Sequence, residues 1–60
     1  MTRIDQVLYD ILQDEPMCFD TVIQSLQENG CVMVDDKLFK IELKQKIKDL
    51  GLFYKVIFSD

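Results

Sequence analysis

A chain of 60 residues is one small domain, residues 1–60, and 48% of its residues are hydrophobic. A domain of this size buries only about 60% of the surface that its unfolded chain exposes, so we expect apolar surface to remain for a protein partner or a second copy. Eleven acidic against seven basic residues give a net charge of −4, which disfavours nucleic acid as a partner, and apolar runs of about four to six residues exclude a membrane span.

The first segment predicts an amphipathic helix. Its apolar residues recur at the i, i+3, i+4, i+7 and i+8 positions of one helical face: Ile4, Val7, Leu8, Ile11 and Leu12. Thr2 is placed to cap this helix, and Asp5 follows three residues later as the second member of a capping box. Pro16 ends the segment, because proline disfavours helical geometry at Glu15.

The segment "FDTVIQSLQENG" predicts a second amphipathic helix. Its apolar residues repeat the helical spacing of the first: Phe19, Val22, Ile23 and Leu26. Asp20 or Thr21 is expected to cap its start. Gly30 is expected to end it, because glycine adopts the left-handed conformation after a helix without steric cost.

The run "CVMV" at 31–34 is apolar throughout and too short for a helix, so it predicts a brief buried strand. Asp35 and Asp36 then stand where helix caps are expected, and Gly51 stands where a helix would stop. Between them, 36–50 predicts the longest helix, with apolar residues at Phe39, Leu43, Ile47 and Leu50.

A hairpin turning at 35–36 is the weaker alternative for this region. Residues 40–49 contain strong helix formers and no turn signal, which favours the helix. The last segment, "LFYKVIFSD" at 52–60, predicts a strand, because it is rich in aromatic and β-branched residues.

The predicted order is helix, helix, short strand, helix, strand, which gives a small α+β fold with three helices and one or two short strands. Two arrangements satisfy it. The three helices form a winged-helix-like trihelical core with the last strand beside it, or the two strands flank the third helix as a parallel βαβ unit with a right-handed crossover.

The trihelical arrangement resembles winged-helix and helix-turn-helix domains. The segments that carry the resemblance are "VLYDILQDEP", "FDTVIQSLQENG" and "LKQKIKDLGL" followed by a strand. The resemblance implies DNA binding. The chain departs from the family in the dozen or so residues between Gly30 and Leu43, where the family has a tight turn, and in its single terminal strand, where the family has a two-stranded wing.

A row of lysines marks the third helix as a candidate for nucleic-acid binding. The four lysines fall on one helical stripe beside the apolar one: Lys37, Lys40, Lys44 and Lys48. Such a stripe could neutralise phosphates or meet an acidic protein surface, or simply coat a solvated face. No arginine or aromatic residue interleaves it in the sequence, so it offers little for reading bases.

Acidic and apolar residues elsewhere are candidates for a protein interface. Residues 1–36 carry one basic and eight acidic residues, a net charge of −7, whereas 37–60 carry six lysines and three acids, a net charge of +3. The acidic half could present negative charge to a basic partner. The interface candidates are Tyr9, Asp10, Asp14, Met33, Phe53 and Tyr54, chosen for negative charge or for the enrichment of aromatic residues and methionine at interfaces. The last strand is also an edge that could pair with its own copy in a homodimer.

Several kinds of chemistry lack their residues in this sequence. There is no histidine and no CxxC pair, which predicts no metal site, and no glycine-rich loop, which predicts no nucleotide cofactor. Neither serine has a neighbour that would activate it, so we expect no enzymatic activity. Cys18 and Cys31, without a signal peptide, indicate free thiols in a reducing, cytoplasmic compartment.

The sequence therefore predicts a non-enzymatic protein-protein interaction module without a cofactor, and with a homodimer as a plausible form. A free-standing acidic chain of this size is similar to small regulators or inhibitors encoded by phages and mobile elements. The alternative is a small winged-helix-like DNA-binding transcriptional regulator that uses the helix face from Lys37 to Lys48.

Overall fold

A computed structural model describes residues 2–31 and 36–58. Three helices, two short strands and a single 3-10 turn follow one another in this part of the chain: α1 (Arg3–Leu12), β1 (Met17–Cys18), α2 (Phe19–Glu28), α3 (Lys37–Asp49), the 3-10 turn (Phe53–Lys55) and β2 (Val56–Ile57). The predicted α+β fold with three helices is confirmed.

Side chains cap the first and third helices as predicted. The Thr2 hydroxyl accepts a hydrogen bond from the backbone N–H of Asp5 at 3.2 Å, and the Asp36 carboxylate accepts one from the N–H of Phe39 at 2.8 Å. Each bond satisfies one of the N–H groups that the start of a helix leaves without a partner. The predicted cap of the second helix is wrong, because α2 begins earlier, and its N-cap, Cys18, makes no side-chain hydrogen bond.

Both glycines end helices as predicted. Gly30 follows α2 with φ of 70°, and Gly51 follows α3 with φ of 75°. The N–H of Gly51 bonds to the carbonyl of Lys48, and the next N–H, of Leu52, bonds to that of Ile47, both at 3.0 Å. This Schellman arrangement satisfies carbonyl groups that the helix itself cannot pair, and the left-handed residue that it needs is the reason for the glycine.

The hydrophobic core lies where the three helices and β2 meet. The apolar faces predicted for α1 and α2 supply most of it. The rest comes from α3 and from residues 52–58, which we call the C-terminal segment. The buried residues are Val7, Leu8, Leu12, Phe19, Val22, Ile23, Leu26, Leu43, Ile47, Leu52 and Val56. Tyr9 packs against the core from α1, and its hydroxyl donates a hydrogen bond to the carbonyl of Leu50 at 3.2 Å.

The strand pairing differs from the prediction. β1 and β2 pair in parallel, with Met17 opposite Val56 and Cys18 opposite Ile57. No strand was predicted before α2, because two residues after a proline carry no periodic signal. The predicted strand at 31–34 lies largely outside the described residues, so the βαβ arrangement built on it stays a prediction.

The C-terminal segment is also less regular than predicted. The expected long strand begins as the 3-10 turn Phe53–Lys55 and becomes strand only at Val56–Ile57. A strand needs a partner along its length, and β1 offers only two residues. The alternative hairpin is wrong for the described residues, because Lys37–Asp49 is one continuous helix.

Candidate protein-binding surface

Large apolar side chains are exposed only in the second part of the described chain. Five are exposed, and all of them follow residue 36: Leu38, Ile41, Phe53, Tyr54 and Ile57. The most exposed is Tyr54, at 77%. Among residues 2–31 every large apolar side chain is at least half-buried. The apolar surface that composition predicted is therefore collected on α3 and the C-terminal segment.

Three phenylalanine rings and two lysines lie together beside the exposed Phe53, with Phe19 buried in the core and Phe58 half-buried. We call this group the aromatic–lysine face: Phe19, Lys44, Lys48, Phe53 and Phe58. The Phe58 ring lies 5.0 Å from that of Phe19 and stacks on that of Phe53 at 4.9 Å, measured between ring centroids. Offset and tilted contacts of this kind are the arrangements that aromatic pairs prefer. The rings therefore support one another.

The two lysines lie over these rings. The Lys44 ammonium is 5.5 Å from the centroid of Phe19 and 5.4 Å from that of Phe58, and the Lys48 ammonium is 5.2 Å from that of Phe53. Cation–π contacts at exposed sites contribute about 0.5–1 kcal/mol each. No aromatic residue interleaves these lysines in the sequence, but the fold brings rings from α2 and from the C-terminal segment to the side of α3.

The four lysines of the predicted stripe differ in their exposure. Lys37, Lys44 and Lys48 are exposed, whereas Lys40 is half-buried and holds an interaction of its own. The nucleic-acid hypothesis asks for Lys40, Lys44 and Lys48 to project together into solvent. The arrangement of α3 does not provide this, so the nucleic-acid site stays a prediction without a structural observation in its favour.

The other interface candidates lie in different places. Tyr9 is half-buried and its hydroxyl bonds within the chain, Asp10 is exposed on α1 and accepts a hydrogen bond from Gln6 at 3.3 Å, and Asp14 is exposed beyond the end of α1. Met33 lies outside the described residues. Phe53 and Tyr54 are the two candidates that the structure brings together.

A long hydrogen bond connects the C-terminal segment to the end of α1. The Lys55 ammonium donates to the carbonyl of Gln13 at 3.5 Å. The Tyr9–Leu50 hydrogen bond joins α1 to the end of α3, a few residues before the turn. The turn that carries Tyr54 is therefore connected to the end of α1 through Lys55.

Three exposed apolar residues were not among the predicted interface candidates: Leu38, Ile41 and Ile57. Leu38 and Ile41 could have been found, because they fall off the stripe of Phe39, Leu43 and Ile47 that defines the inward face of α3. Ile57 could not, because its orientation depends on the pairing of β2 with β1.

An ion pair and a cleft lie at the other flank of α3. The Lys46 ammonium is 3.1 Å from the carboxylate of Asp5, whose side chain is 13% exposed. Loss of hydration raises the pKa of Asp5, but hydrogen bonds from Lys46 and Thr2 and the charge of Lys46 outweigh it, so this pKa lies below the ordinary value of 3.8. The ion pair borders an open, mainly apolar cleft of about 160 Å³, lined by Ile4, Phe39, Glu42, Leu43 and Lys46.

Neither a metal-binding cluster nor a membrane-spanning helix is found in the described part of the chain. Residues 2–31 and 36–58 contain no group of three or more acidic, cysteine or histidine side chains that could hold a metal ion. Within the same ranges, no helix is long and apolar enough to cross a membrane.

No protein-family model matches this chain, and comparisons with curated proteins and with solved structures give no match either. The function is therefore argued from the surface itself.

Proposed function

We propose that the chain is a non-enzymatic module that binds another protein, with Tyr54 as the central contact and the aromatic–lysine face beside it. The observation that carries this proposal is the exposure of Tyr54, at 77%, in a segment that also exposes Phe53, at 41%, and Ile57, at 58%. Three exposed large apolar side chains within 53–57 differ from the singly scattered apolar residues of an ordinary surface.

The kind of residue supports the proposal as well. Tyrosine is enriched among the residues that dominate binding energy, because its large ring has few rotatable bonds and its hydroxyl can also bond to a partner. Phe53 is held in place by stacking on Phe58. A contact surface that is already ordered loses less conformational entropy on binding.

The charges around the rings indicate the chemistry of the partner. Lys44 and Lys48 border the phenylalanines on the α3 side, and Lys55 lies in the same turn as Tyr54. A complementary surface would offer an apolar pocket for the tyrosine ring with carboxylates at its rim. Rim charges of this kind mainly affect the rate of association and its dependence on salt.

Site-specific photo-crosslinking in the native cells tests the proposal. A photoreactive phenylalanine analogue at position 54 is expected to give one or a few discrete adducts with a cellular protein. The same analogue at Gln24, an exposed residue of α2, is the matched control and should give none of them. Equal adducts from both positions, or none from position 54, would refute the proposal.

A second variant separates contact from folding. With the analogue moved to Ile57, position 54 is free for substitution. In such chains Tyr54→Ala should reduce the yield of the adduct at least about tenfold, because truncation of a central aromatic residue costs about 2 kcal/mol of binding free energy. Gln24→Ala is its control. Tyr54 is too exposed for its truncation to change stability by more than about 0.5 kcal/mol, so a reduced adduct reports binding.

A further inference from the structure

The outer face of α3 carries its apolar residues in the spacing of a helix-pairing seam. Leu38 and Ile41 are 63% and 56% exposed, and Gln45 and Lys48 continue the same line. The spacing of these four positions alternates between three and four residues, as in the contact line of a two-stranded coiled coil. The opposite face of α3 is already occupied by the core through Leu43 and Ile47.

The charges beside this seam are sorted by sign. Lys37 and Lys44 lie along one flank, and Glu42 and Asp49 lie along the other, and all four are exposed. In a parallel helix pair, each flank meets the opposite flank of the other helix, and the interacting residues are five positions apart. Lys37 would then meet Glu42 of a second copy. Lys44 would meet Asp49 of that copy in the same register.

An antiparallel pair would place like charges together. In that orientation each flank meets its own equivalent, so lysines would face lysines and carboxylates would face carboxylates. The flanks of α3 therefore favour parallel pairing with another α3 and disfavour the reversed arrangement.

Two of these charges are also badly placed for the isolated helix. Lys37 is the first residue of α3 and Asp49 is the last. Positive charge at the amino end of a helix and negative charge at the carboxyl end oppose its dipole. Within its own helix Asp49 accepts a hydrogen bond from Gln45 at 2.9 Å, and in a parallel pair Lys37 and Asp49 would each also gain an opposite charge from the second copy.

We propose that α3 pairs in parallel with α3 of a second copy of this chain, about a two-fold axis that runs along the helices. This self-association is separate from partner binding at Tyr54 and does not rest on it. Lys44 and Lys48 belong to both surfaces, since in the single chain they lie over the rings of Phe19, Phe58 and Phe53. The pair of Lys37 and Glu42 belongs to the seam and not to the aromatic–lysine face, so it provides the test.

The seam predicts a weak dimer. Leu38 and Ile41 form two apolar layers, and the polar Gln45 follows as a layer that fixes register at a cost in affinity. Such a small contact area is typical of transient association. We expect a dissociation constant on the order of 0.1–1 mM.

Sedimentation equilibrium of the wild type and three charge variants tests the pairing. Lys37→Glu and Glu42→Lys should each weaken the dimer about three- to tenfold, because each reverses two symmetric pairs. The double variant, which swaps the charges, should regain wild-type affinity. A wild type that stays monomeric at about 1 mM, or a double variant no better than either single one, would overturn the proposal.

Disulfide trapping tests the parallel orientation. In a Cys18→Ala, Cys31→Ala background whose helicity matches the wild type, Gln45→Cys should form a disulfide-linked dimer much faster than Gln24→Cys, the control on α2. When Leu38→Cys chains are mixed with Gln45→Cys chains, the disulfide between positions 38 and 45 should form no faster than the disulfide of the Gln24→Cys control. A preferred cross-link between positions 38 and 45 would show antiparallel pairing and refute the inference.

The two proposals fail separately. Charge variants at Lys37 and Glu42 should leave photo-crosslinking at position 54 unchanged, because neither residue belongs to the aromatic–lysine face. Loss of the dimer with intact adducts would leave partner binding standing, and the reverse result would leave the seam standing.

Discussion

Residues 2–31 and residues 36–58 use their apolar side chains differently. In the first region α1 and α2 each bury one apolar stripe and expose none of their large hydrophobic residues. In the second region α3 and the C-terminal segment contribute four residues to the core and expose five large hydrophobic ones. The first region buries its large apolar side chains, and the second both completes the core and leaves apolar side chains exposed.

The difference is clearest on α3, whose apolar residues occupy two faces. Leu43 and Ile47 point into the core, whereas Leu38 and Ile41 point into solvent. A 60-residue chain has little interior, and the apolar stripes of α1 and α2 already fill most of it. The apolar residues of α3 that find no place in the core are available for contacts between chains.

Matched leucine truncations in the two regions should give the largest contrast. Leu26 is fully buried and Leu38 is 63% exposed. We expect Leu26→Ala to lower the free energy of unfolding by about 2–5 kcal/mol, because it leaves a cavity in the core. Leu38→Ala should change it by less than about 0.5 kcal/mol.

Urea denaturation followed by far-ultraviolet circular dichroism measures both. For a domain with a total stability of about 5 kcal/mol, the Leu26 variant should keep only about 0–3 kcal/mol and should unfold at a much lower urea concentration than the wild type. Similar losses from the two variants would contradict the contrast between buried apolar residues in the first region and exposed ones in the second.

Substitution of Gly51 should have the next largest effect. Gly51→Ala should lower the free energy of unfolding by about 1–2 kcal/mol, because φ of 75° is costly for a residue with a Cβ. No heavy atom lies within 4 Å of the position that the Cβ would take, so the cost is conformational. Asparagine tolerates this conformation better than alanine, so Gly51→Asn should lose less of the free energy of unfolding. Thermal melts of the two variants and the wild type measure the difference. An alanine variant as stable as the wild type would contradict the observed turn.

Removal of the α3 cap should cost about 1 kcal/mol. Asp36→Ala removes the acceptor of the Phe39 N–H, which then lacks its side-chain partner. Asp36→Ser keeps an acceptor and is the control. Amide hydrogen exchange should show faster opening in the first turn of α3 for the alanine variant only, and equal exchange in both would mean that the cap carries no stability.

The ion pair between the two regions should give the smallest effect, visible as pH dependence. The pKa of Asp5 is lower in the folded chain than its ordinary value of 3.8. Its contribution to stability is therefore present above pH 3.8 and is lost as the pH falls through the lower, folded pKa. Asp5→Asn and Lys46→Met should each flatten the acid limb of a plot of stability against pH. An unchanged acid limb in both variants would show that the pair does not link α1 to α3.

The helices could be predicted from sequence because their signals are local. The apolar spacing of α1 and α2, the caps Thr2 and Asp36, and the stop at Gly51 all act within a few residues. β1 could not be predicted, because Met17 and Cys18 become a strand only through pairing with residues near the end of the chain.

The candidate surface was predictable only in part for the same reason. Phe53 and Tyr54 were expected at an interface from residue type. The rings beneath Lys44 and Lys48 come from Phe19, Phe53 and Phe58, which are far from those lysines in sequence or on another element. Their contact depends on how α3 packs against the C-terminal segment, and no sequence spacing encodes it.

The most direct test of the contrast between the two regions is nuclear magnetic resonance of the nitrogen-15-labelled chain. Spectra are recorded with and without an extract of its native cells, with the labelled chain too dilute to pair with itself. We predict that on addition of the extract the amide signals of residues 53–57 shift and lose intensity more than those of α1 and α2. Broadening centred on α1 or α2, or no change in the C-terminal segment, would contradict it.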